Sequence, residues 1–319
     1  MTGKTQIRKV VFMGTPDFAV GTLQALIASD YEVTAVYTQP DKPKGRGEKM
    51  QMTPVKECAA EAGIPVYQPL SLRAQEAVEE LRALEPDVIV VAAYGQIISQ
   101  EVLDIPPCGC INVHASLLPK YRGAAPIQWA ILDGEKETGV TTMRMNAGLD
   151  TGDMIEKVIV PITDEETGGS LFDKLSAAGA ELLLQTLKAI EDGSAVYTPQ
   201  PEESTTHYAS MLKKSMGQID WKKSAAEIER MIRGLSPWPS AYTSMDGKQL
   251  KVWQSKVTGE GASGKEPGTV LAGDGKSIRV QTGDGILEIT RLQLAGKKQM
   301  DADAFLRGVR LADDTVLGE

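Results

Sequence analysis

An amide and an imidazole occupy alternate positions of a short apolar segment, Cys110–His114 (CINVH). Because successive side chains of a strand point to opposite faces, Asn112 and His114 would project from the same face of a sheet. Ligands of open parallel sheets bind outside the carboxyl ends of the strands, where His114 would lie. The two groups could therefore hold an oxyanion and handle a proton. The alternative is a strand-end histidine that only hydrogen-bonds a neighbouring backbone carbonyl.

A carboxylate, Asp150, lies between Gly148 and Gly152. Glycines on both sides favour a tight turn that presents the carboxylate at an edge of the sheet. There it could orient the imidazole of His114 and stabilise its positive charge. Two alternatives remain at this point, an ordinary turn and a calcium loop, although the spacing does not match the alternate ligands of such a loop. We therefore expect no metal site.

The segment after the first apolar run, Gly14 to Phe18, is where a dinucleotide-binding fold would carry the pattern Gly-x-Gly-x-x-Gly. Only the first glycine is present, and Pro16 removes a backbone N–H from the would-be phosphate cradle. The sequence therefore disfavours nicotinamide and flavin cofactors.

A long loop at residues 39–50 carries four basic residues among prolines and glycines. They are Lys42, Lys44, Arg46 and Lys49. A flexible basic loop can become ordered against phosphate groups. The alternative is a solvated surface loop without a partner.

Short apolar runs alternate with helical patterns in the first half of the chain. The predicted strands are 9–13, 33–37, 88–93 and 110–113, and the predicted helices are 18–29, 54–62 and 71–84. Nearly continuous apolarity is typical of strands that are covered on both faces, as in a parallel sheet. The pattern predicts an α/β fold with a Rossmann-like, doubly wound, mostly parallel sheet.

The pattern changes after residue 208. Strands at 139–145 and 154–160 and a long helix at 171–190 precede a polar, proline-rich stretch. One helix follows at 224–233, with Ser224 and Glu227 at the spacing of a capping box. Short strands with regular turn signals then predict a small C-terminal β-barrel of the OB-like kind. We expect domains at 1–193 and 208–319, joined by a linker at 194–207.

Composition indicates an ordinary globular protein of two domains, with 319 residues, 42% hydrophobic and 24% charged. The longest apolar run, 88–94, is far shorter than the ~20 residues of a membrane helix. Three cysteines and two histidines make neither a disulfide framework nor a zinc site, which favours the cytoplasm. The net charge of −9 is uneven, because residues 208–319 hold 17 Lys and Arg against 14 Asp and Glu. That asymmetry would suit a second domain that faces a polyanion.

Taken together, these stretches resemble the methionyl-tRNA formyltransferase family, nearly from end to end. The resemblance is carried by CINVHASLLPKYRGAAPIQWAI, GLDTGDMI, FMGTPDFAV, the QPDKPKGRG loop, IDW and LQLAGKKQM. It implies transfer of a formyl group from 10-formyltetrahydrofolate to the α-amino group of methionine on the initiator tRNA. It also implies a Rossmann-like catalytic domain followed by a small β-barrel.

The resemblance assigns roles to residues of this chain. Asn112, His114 and Asp150 match the catalytic trio, and Arg46 matches a loop that reaches into the acceptor stem. The residues that match the folate-contacting segment are Ser116, Leu117, Leu118 and Pro119. The pterin ring is expected against the loop that follows the most apolar strand, Tyr94, Gly95, Gln96 and Ile97. We expect a monomer.

Two other functions remain open from the sequence. A folate-dependent formyltransferase that acts on a small amine, such as an amino sugar nucleotide, would need neither a basic loop nor a positive barrel. A non-enzymatic RNA-binding module would lack at least one member of the catalytic trio.

The division between the basic loop and the folate site generates a first prediction. Replacing Arg46 with alanine removes a phosphate contact, so we expect weaker use of tRNA and unchanged binding of folate. The KM for tRNA and the equilibrium binding of folate measure the two effects separately. Loss of folate affinity in this variant would contradict the assignment.

Overall fold

The computed structural model describes residues 6–44, 49–273, 275–312 and 315–318. The chain folds into two compact units. The first contains Met1–Pro126, Glu137–Pro161 and Phe172–Ala209, and the second contains Ile127–Lys136, Ile162–Leu171 and Ser210–Glu319. Nothing in the sequence pattern indicated that two short internal segments, Ile127–Lys136 and Ile162–Leu171, belong to the second unit. The division at 194–207 stays a prediction.

The first unit is built on a seven-stranded sheet, with helices between and after its strands along the chain. Its strands, with the separate hairpin β3–β4, are β1 (Lys9–Gly14), β2 (Glu32–Tyr37), β3 (Lys42–Lys44), β4 (Lys49–Gln51), β5 (Val66–Tyr67), β6 (Val88–Ala92), β7 (Cys110–His114), β8 (Glu137–Arg144) and β9 (Asp153–Pro161). The helices up to residue 192 are α1 (Asp17–Ile27), α2 (Pro54–Glu61), α3 (Gln75–Ala83), α4 (Gln100–Leu103), α5 (Pro126–Leu132) and α6 (Gly168–Asp192).

The sheet order is β5-β2-β1-β6-β7-β8-β9. The pairs from β5 to β7 are parallel, whereas β8 and β9 are antiparallel to their neighbours. The expected mostly parallel, Rossmann-like sheet is therefore confirmed. All five residues of β6 and of β7 are buried, as the continuous apolar runs predicted.

The helix α6 determines which face of β7 carries chemistry. A Cβ atom built on Gly179 would lie 2.9 Å from Val113, so this helix packs directly on the strand. Cys110 belongs instead to the apolar cluster that includes Ile89 and Val91. Side chains alternate along the strand, so Asn112 and His114 share the Cys110 face and point away from α6.

The loop between β8 and β9 does not form the expected tight turn at a sheet edge. Ile111 pairs with Arg144 and His114 pairs with Thr141, so β8 leaves the sheet where β7 begins. The connection must therefore run back along the sheet to bring Asp150 to His114. Its eight residues, 145–152, provide the necessary length.

The second unit contains an antiparallel half-barrel sheet. Its strands are β10 (Ala241–Met245), β11 (Lys248–Val257), β12 (Val270–Leu271), β13 (Ile278–Gln281), β14 (Ile286–Leu294) and β15 (Met300–Asp301). The order is β10-β11-β14-β13-β12, and β15 pairs with β14. The predicted C-terminal β domain is confirmed in this form.

Two α-helices accompany this sheet, α7 (Ala225–Gly234) and α8 (Ala302–Gly308), after a 3₁₀ turn at Lys214–Gly217. The capping box is present: Ser224 and Glu227 bond each other's backbone N–H groups. Hydrogen bonds from Ser224 lower the pKa of the Glu227 carboxyl. Only one helix was expected here from the sequence, and α8, a short helix of seven residues, was missed.

Among the residues that the structure describes, no helix combines the length and the apolar character that crossing a bilayer requires.

The close approach of α6 to β7 generates a second prediction. A valine at position 179 would collide with the stiff side chain of Val113, so Gly179→Val should lower the free energy of unfolding by about 1–3 kcal/mol. Ala177 is exposed on the same helix, and Ala177→Val should cost only about 0.5 kcal/mol through helix propensity. Denaturant unfolding of the two variants measures the difference, and equal losses would contradict the packing.

Candidate active site

His114 and Asp150 come together in the first unit. His114 Nδ1 lies 3.8 Å from Asp150 Oδ1, and both side chains are largely buried. His114 Nε2 lies 3.1 Å from the carbonyl oxygen of Tyr121. A carbonyl oxygen only accepts hydrogen bonds, so Nε2 is the donor. The ring thus bonds a backbone carbonyl through Nε2, while Nδ1 faces the carboxylate, and the catalytic role of His114 stays a prediction.

Asp150 is held in an unusual backbone conformation. Its φ is +54°, in the left-handed region that residues other than glycine seldom adopt. Its Oδ2 accepts a hydrogen bond of 2.9 Å from the backbone N–H of Gly123. Asn146 orders the start of the same loop, because its Oδ1 accepts bonds from Gly148 N and Thr151 Oγ1. The carboxylate is thus fixed at both its side chain and its loop.

Asn112 lies two residues before His114 on the same face of β7 and is 8% exposed. Its side-chain amide makes no hydrogen bond with any residue that the structure describes. This amide remains available to a ligand.

The loop from Ser116 to Pro119 is anchored by its neighbours. Thr141 Oγ1 donates to Ser116 O at 2.7 Å and accepts from Leu118 N at 3.1 Å. Lys157 Nζ donates to Leu118 O at 2.6 Å, and burial lowers the pKa of this lysine.

The side chains of this loop divide into two groups. Ser116 and Leu118 are fully buried, and Leu118 packs with Met143 and Met154. Leu117 and Pro119 are partly exposed. A ligand could meet Leu117, Pro119 and the backbone, whereas Ser116 and Leu118 shape the loop.

The loop after β6 shows a similar division. Tyr94 is buried, its phenol pKa is raised by burial, and its carbonyl oxygen accepts from Thr15 Oγ1 at 2.9 Å. Gln96 accepts from Leu72 N and donates to Pro69 O. Gly95 and Ile97 are exposed, and Gly95 has a positive φ. The exposed backbone at the carboxyl end of a parallel strand is a suitable place for a flat polar ring.

The basic loop is more regular than the sequence predicted. Its ends form an antiparallel hairpin in which Lys42 pairs with Gln51 and Lys44 with Lys49. Lys42 is exposed. Arg46, between the two strands, lies outside the described residues, and the hairpin has no described contact with the candidate active site.

The base of this hairpin is fixed by a polar cluster that the sequence did not reveal. Asp41 receives hydrogen bonds from Lys56 Nζ at 2.6 Å and from Gln68 Nε2 at 2.7 Å. The Lys56 ammonium and the Gln68 amide hold the pKa of the Asp41 carboxyl below its usual range. Residues this far apart in the chain carry no local signal of their contact.

Other supporting residues were also missed, among them Thr141, Lys157, Arg122 and Gln200. Arg122 stands within the SLLPKYRG motif, which offered a signal, whereas Gln200 was assigned only to a polar linker. Within the described residues, no group of three or more His, Cys, Asp or Glu side chains is arranged to hold a metal ion.

Comparison with family models defines the class of protein. The "Formyl transferase" model matches residues 8–187, and the "Formyl transferase, C-terminal domain" model matches residues 211–310. The chain is thus a formyl transferase in both of its matched regions.

Individual relatives narrow the class. The chain is 58% identical, over 96% of its length and 98% of the relative's, to methionyl-tRNA formyltransferase from Agathobacter rectalis. It is 53% identical, over 98% of both chains, to methionyl-tRNA formyltransferase from Alkaliphilus metalliredigens. The chain belongs to the methionyl-tRNA formyltransferase family.

A solved structure shows the same fold at low identity. The N-formyltransferase from Helicobacter canadensis, determined with folinic acid and dTDP-3-aminofucose, superposes with a TM-score of 0.66 at 22% identity. The match covers 89% of this chain and 99% of that one. At this identity the likeness concerns the fold alone.

The anchoring of the 116–119 loop generates a third prediction. Thr141→Val keeps the side chain's shape but leaves Ser116 O and Leu118 N without this partner, so the free energy of unfolding should fall by about 1–3 kcal/mol. Thr22 is a matched control, because its buried hydroxyl has no hydrogen-bond partner among the described residues. Thr22→Val should leave stability unchanged or raise it. Equal losses in urea titrations of the two variants would refute the anchoring role.

Proposed function

We propose that this protein transfers a formyl group from 10-formyltetrahydrofolate to the α-amino group of methionyl initiator tRNA, in support of translation initiation. One observation carries the proposal: the near-full-length likeness to proteins named methionyl-tRNA formyltransferase, which span both matched regions. The approach of His114 to Asp150 supports the chemistry independently.

The loops that follow the carboxyl ends of the central strands β6 and β7 form the folate site. The exposed backbone of Gly95 and Ile97 would pair with the polar edge of the pterin, and Leu117 and Pro119 would contact the donor from the second loop. Tyr94, Gln96, Ser116 and Leu118 hold these loops in place from inside. The donor supplies the one-carbon unit, so the protein's share is orientation and electrostatics.

Negative charge develops on the formyl oxygen during acyl transfer, and two donors face this charge. His114 Nε2 donates to Tyr121 O, so Nδ1 is the ring atom directed at the reacting groups, and it donates a hydrogen bond to the oxygen only when the imidazole is protonated. The amide of Asn112, on the same face, is the second donor. One such hydrogen bond typically contributes ~3 kcal/mol to transition-state stabilisation.

Asp150 takes the proton that the ammonium must lose before its nitrogen can attack. The nitrogen then bonds to the formyl carbon, the bond from that carbon to N10 of the folate breaks, and a second proton from the amine passes to N10, which leaves as tetrahydrofolate. A substrate nitrogen beside both Nδ1 of His114 and Oδ1 of Asp150 would lie within general-base reach, because these atoms are only 3.8 Å apart. The same carboxylate stabilises a protonated imidazole. The three side chains thus divide the work, with Asn112 and His114 acting on the oxygen and Asp150 on the amine.

The tRNA would be contacted through phosphate groups. Lys42, Lys44, Arg46 and Lys49 supply four positive charges within the basic loop at residues 39–50. Residues 208–319 supply another, with 17 Lys and Arg against 14 Asp and Glu. Such contacts position an acceptor stem by its shape, because the deep major groove of A-form RNA hides the base edges. We also propose that the protein acts as a cytoplasmic monomer.

Formylation of methionyl initiator tRNA, compared with methionyl elongator tRNA and amino sugar nucleotides, tests the proposal. We expect the initiator to be the preferred acceptor. His114→Ala and Asp150→Asn should each lower kcat at least about 100-fold, because each removes a group that acts on the reacting atoms. Preferential formylation of an amino sugar would instead favour a small-amine formyltransferase, and undiminished turnover by either variant would contradict the assigned roles.

A further inference from the structure

Gln200 connects the loop that carries Asp150 to a buried arginine. Its Nε2 donates to Asp150 O at 2.9 Å and to Gly152 O at 2.7 Å. Its Oε1 accepts from Arg122 Nε at 3.1 Å. We propose that Gln200, oriented by Arg122, is a positioning residue that fixes the carboxylate of Asp150 against His114. This inference rests on the proposed function and adds a residue to its machinery.

The orientation of the Gln200 amide follows from its partners. A guanidinium group only donates hydrogen bonds, so the oxygen of the amide must face Arg122. The amide nitrogen must then face the loop, where both partners are carbonyl oxygens and can only accept. A flipped amide would oppose donor to donor and acceptor to acceptor, so the side chain has one allowed orientation.

Arg122 is itself fixed. It is only 7% exposed, and its remaining nitrogens donate to Pro201 O at 2.7 Å and Glu202 O at 3.0 Å. A buried guanidinium with all of these acceptors in place has a strong preference for one geometry, because moving it would leave a buried charge without partners.

The backbone that Gln200 holds is the strained part of the loop. Asp150 has a φ of +54°, a conformation that costs free energy in a residue with a side chain. The two bonds from Gln200 fix the carbonyl groups on either side of Thr151 and so oppose relaxation of that backbone. A Cβ on Gly152 would lie 2.0 Å from Arg144 O, so the loop packs closely against the end of β8 and leaves no room for a side chain at this position.

The same link reaches the histidine. Arg122 lies between Tyr121, whose carbonyl accepts from His114 Nε2, and Gly123, whose N–H donates to Asp150 Oδ2. Residues 121–123 therefore bond to both His114 and Asp150. Gln200 links the same residues, through Arg122, to the backbone of Asp150. Loosening Gln200 should alter the distance between His114 and Asp150 rather than the folate or tRNA contacts.

The test is Gln200→Glu, which keeps an acceptor for Arg122 and replaces the two donors with a carboxylate oxygen. We expect kcat for methionyl initiator tRNA to fall by about tenfold or more, with both KM values within about threefold of wild type, because orientation is lost and binding is not. Gln24 is exposed on α1, and Gln24→Glu is the matched control, with kinetics equal to wild type.

A spectroscopic measurement separates positioning from a general structural role. The chain has only two histidines, so the imidazole ¹⁵N resonances of His114 can be assigned with a His207→Ala variant. We expect Gln200→Glu to shift the His114 Nδ1 resonance and Gln24→Glu to leave it unchanged. If kcat of Gln200→Glu falls while the His114 resonance does not move, the proposal is overturned. It is also overturned if this variant keeps more than about a third of the wild-type kcat.

Two further measurements keep the test decisive. If Gln200→Glu lowers the unfolding midpoint, Gln200→Ala is assayed in its place, with the same expected loss of kcat.

In the wild-type protein, the Gln200 side-chain amide protons should exchange with solvent at least about tenfold more slowly than those of Gln24, and equal rates would overturn the proposal. Wild-type turnover, with His114→Ala as the inactive reference, reports separately on the proposed function.

Discussion

The approach of Asp150 to His114 is the interaction on which the rest of the site depends. The two residues stand 36 positions apart, on a central strand and on a loop that leaves the far end of the sheet. Their contact requires the loop to fold back and Asp150 to adopt a left-handed backbone. Strain of this kind persists only where surrounding structure holds it, and here the hydrogen bonds of Gly123 and Gln200 do so.

The face that carries this chemistry is set by packing on the opposite side. Val113 meets α6 at Gly179, where any side chain would push the helix away. Because Val113 packs against α6 and side chains alternate along a strand, Asn112 and His114 lie on the other face of β7. A close helix–strand contact therefore determines where an amide and an imidazole point, although that contact lies on the opposite face of the strand.

Patterns local in sequence predicted much of this structure. The apolar runs predicted the parallel strands, alternation in Cys110–His114 placed two catalytic candidates together, and the spacing of Ser224 and Glu227 predicted a real cap. Contacts between distant residues had no such signal. Gln200 bonds to Asp150 across 50 positions, and glutamine in a polar segment looks the same whether it faces water or a loop. The short helix α8 and the hairpin of Lys42–Lys44 with Lys49–Gln51 were missed. Elements of so few residues are too short to show a clear hydrophobic period.

The distribution of hydrogen bonds fits a site that would act in the proposed reaction without rearranging. The groups that support it, such as Thr141, Arg122 and Gln200, have their partners within the protein. The Asn112 amide and His114 Nδ1, which we propose act on the reactant, have no hydrogen bond of their own among the described residues. Because the supporting network is saturated, it has one favoured geometry, and the free groups are held in position before substrate arrives. Stabilisation of developing charge by fixed dipoles then requires no reorganisation during the reaction.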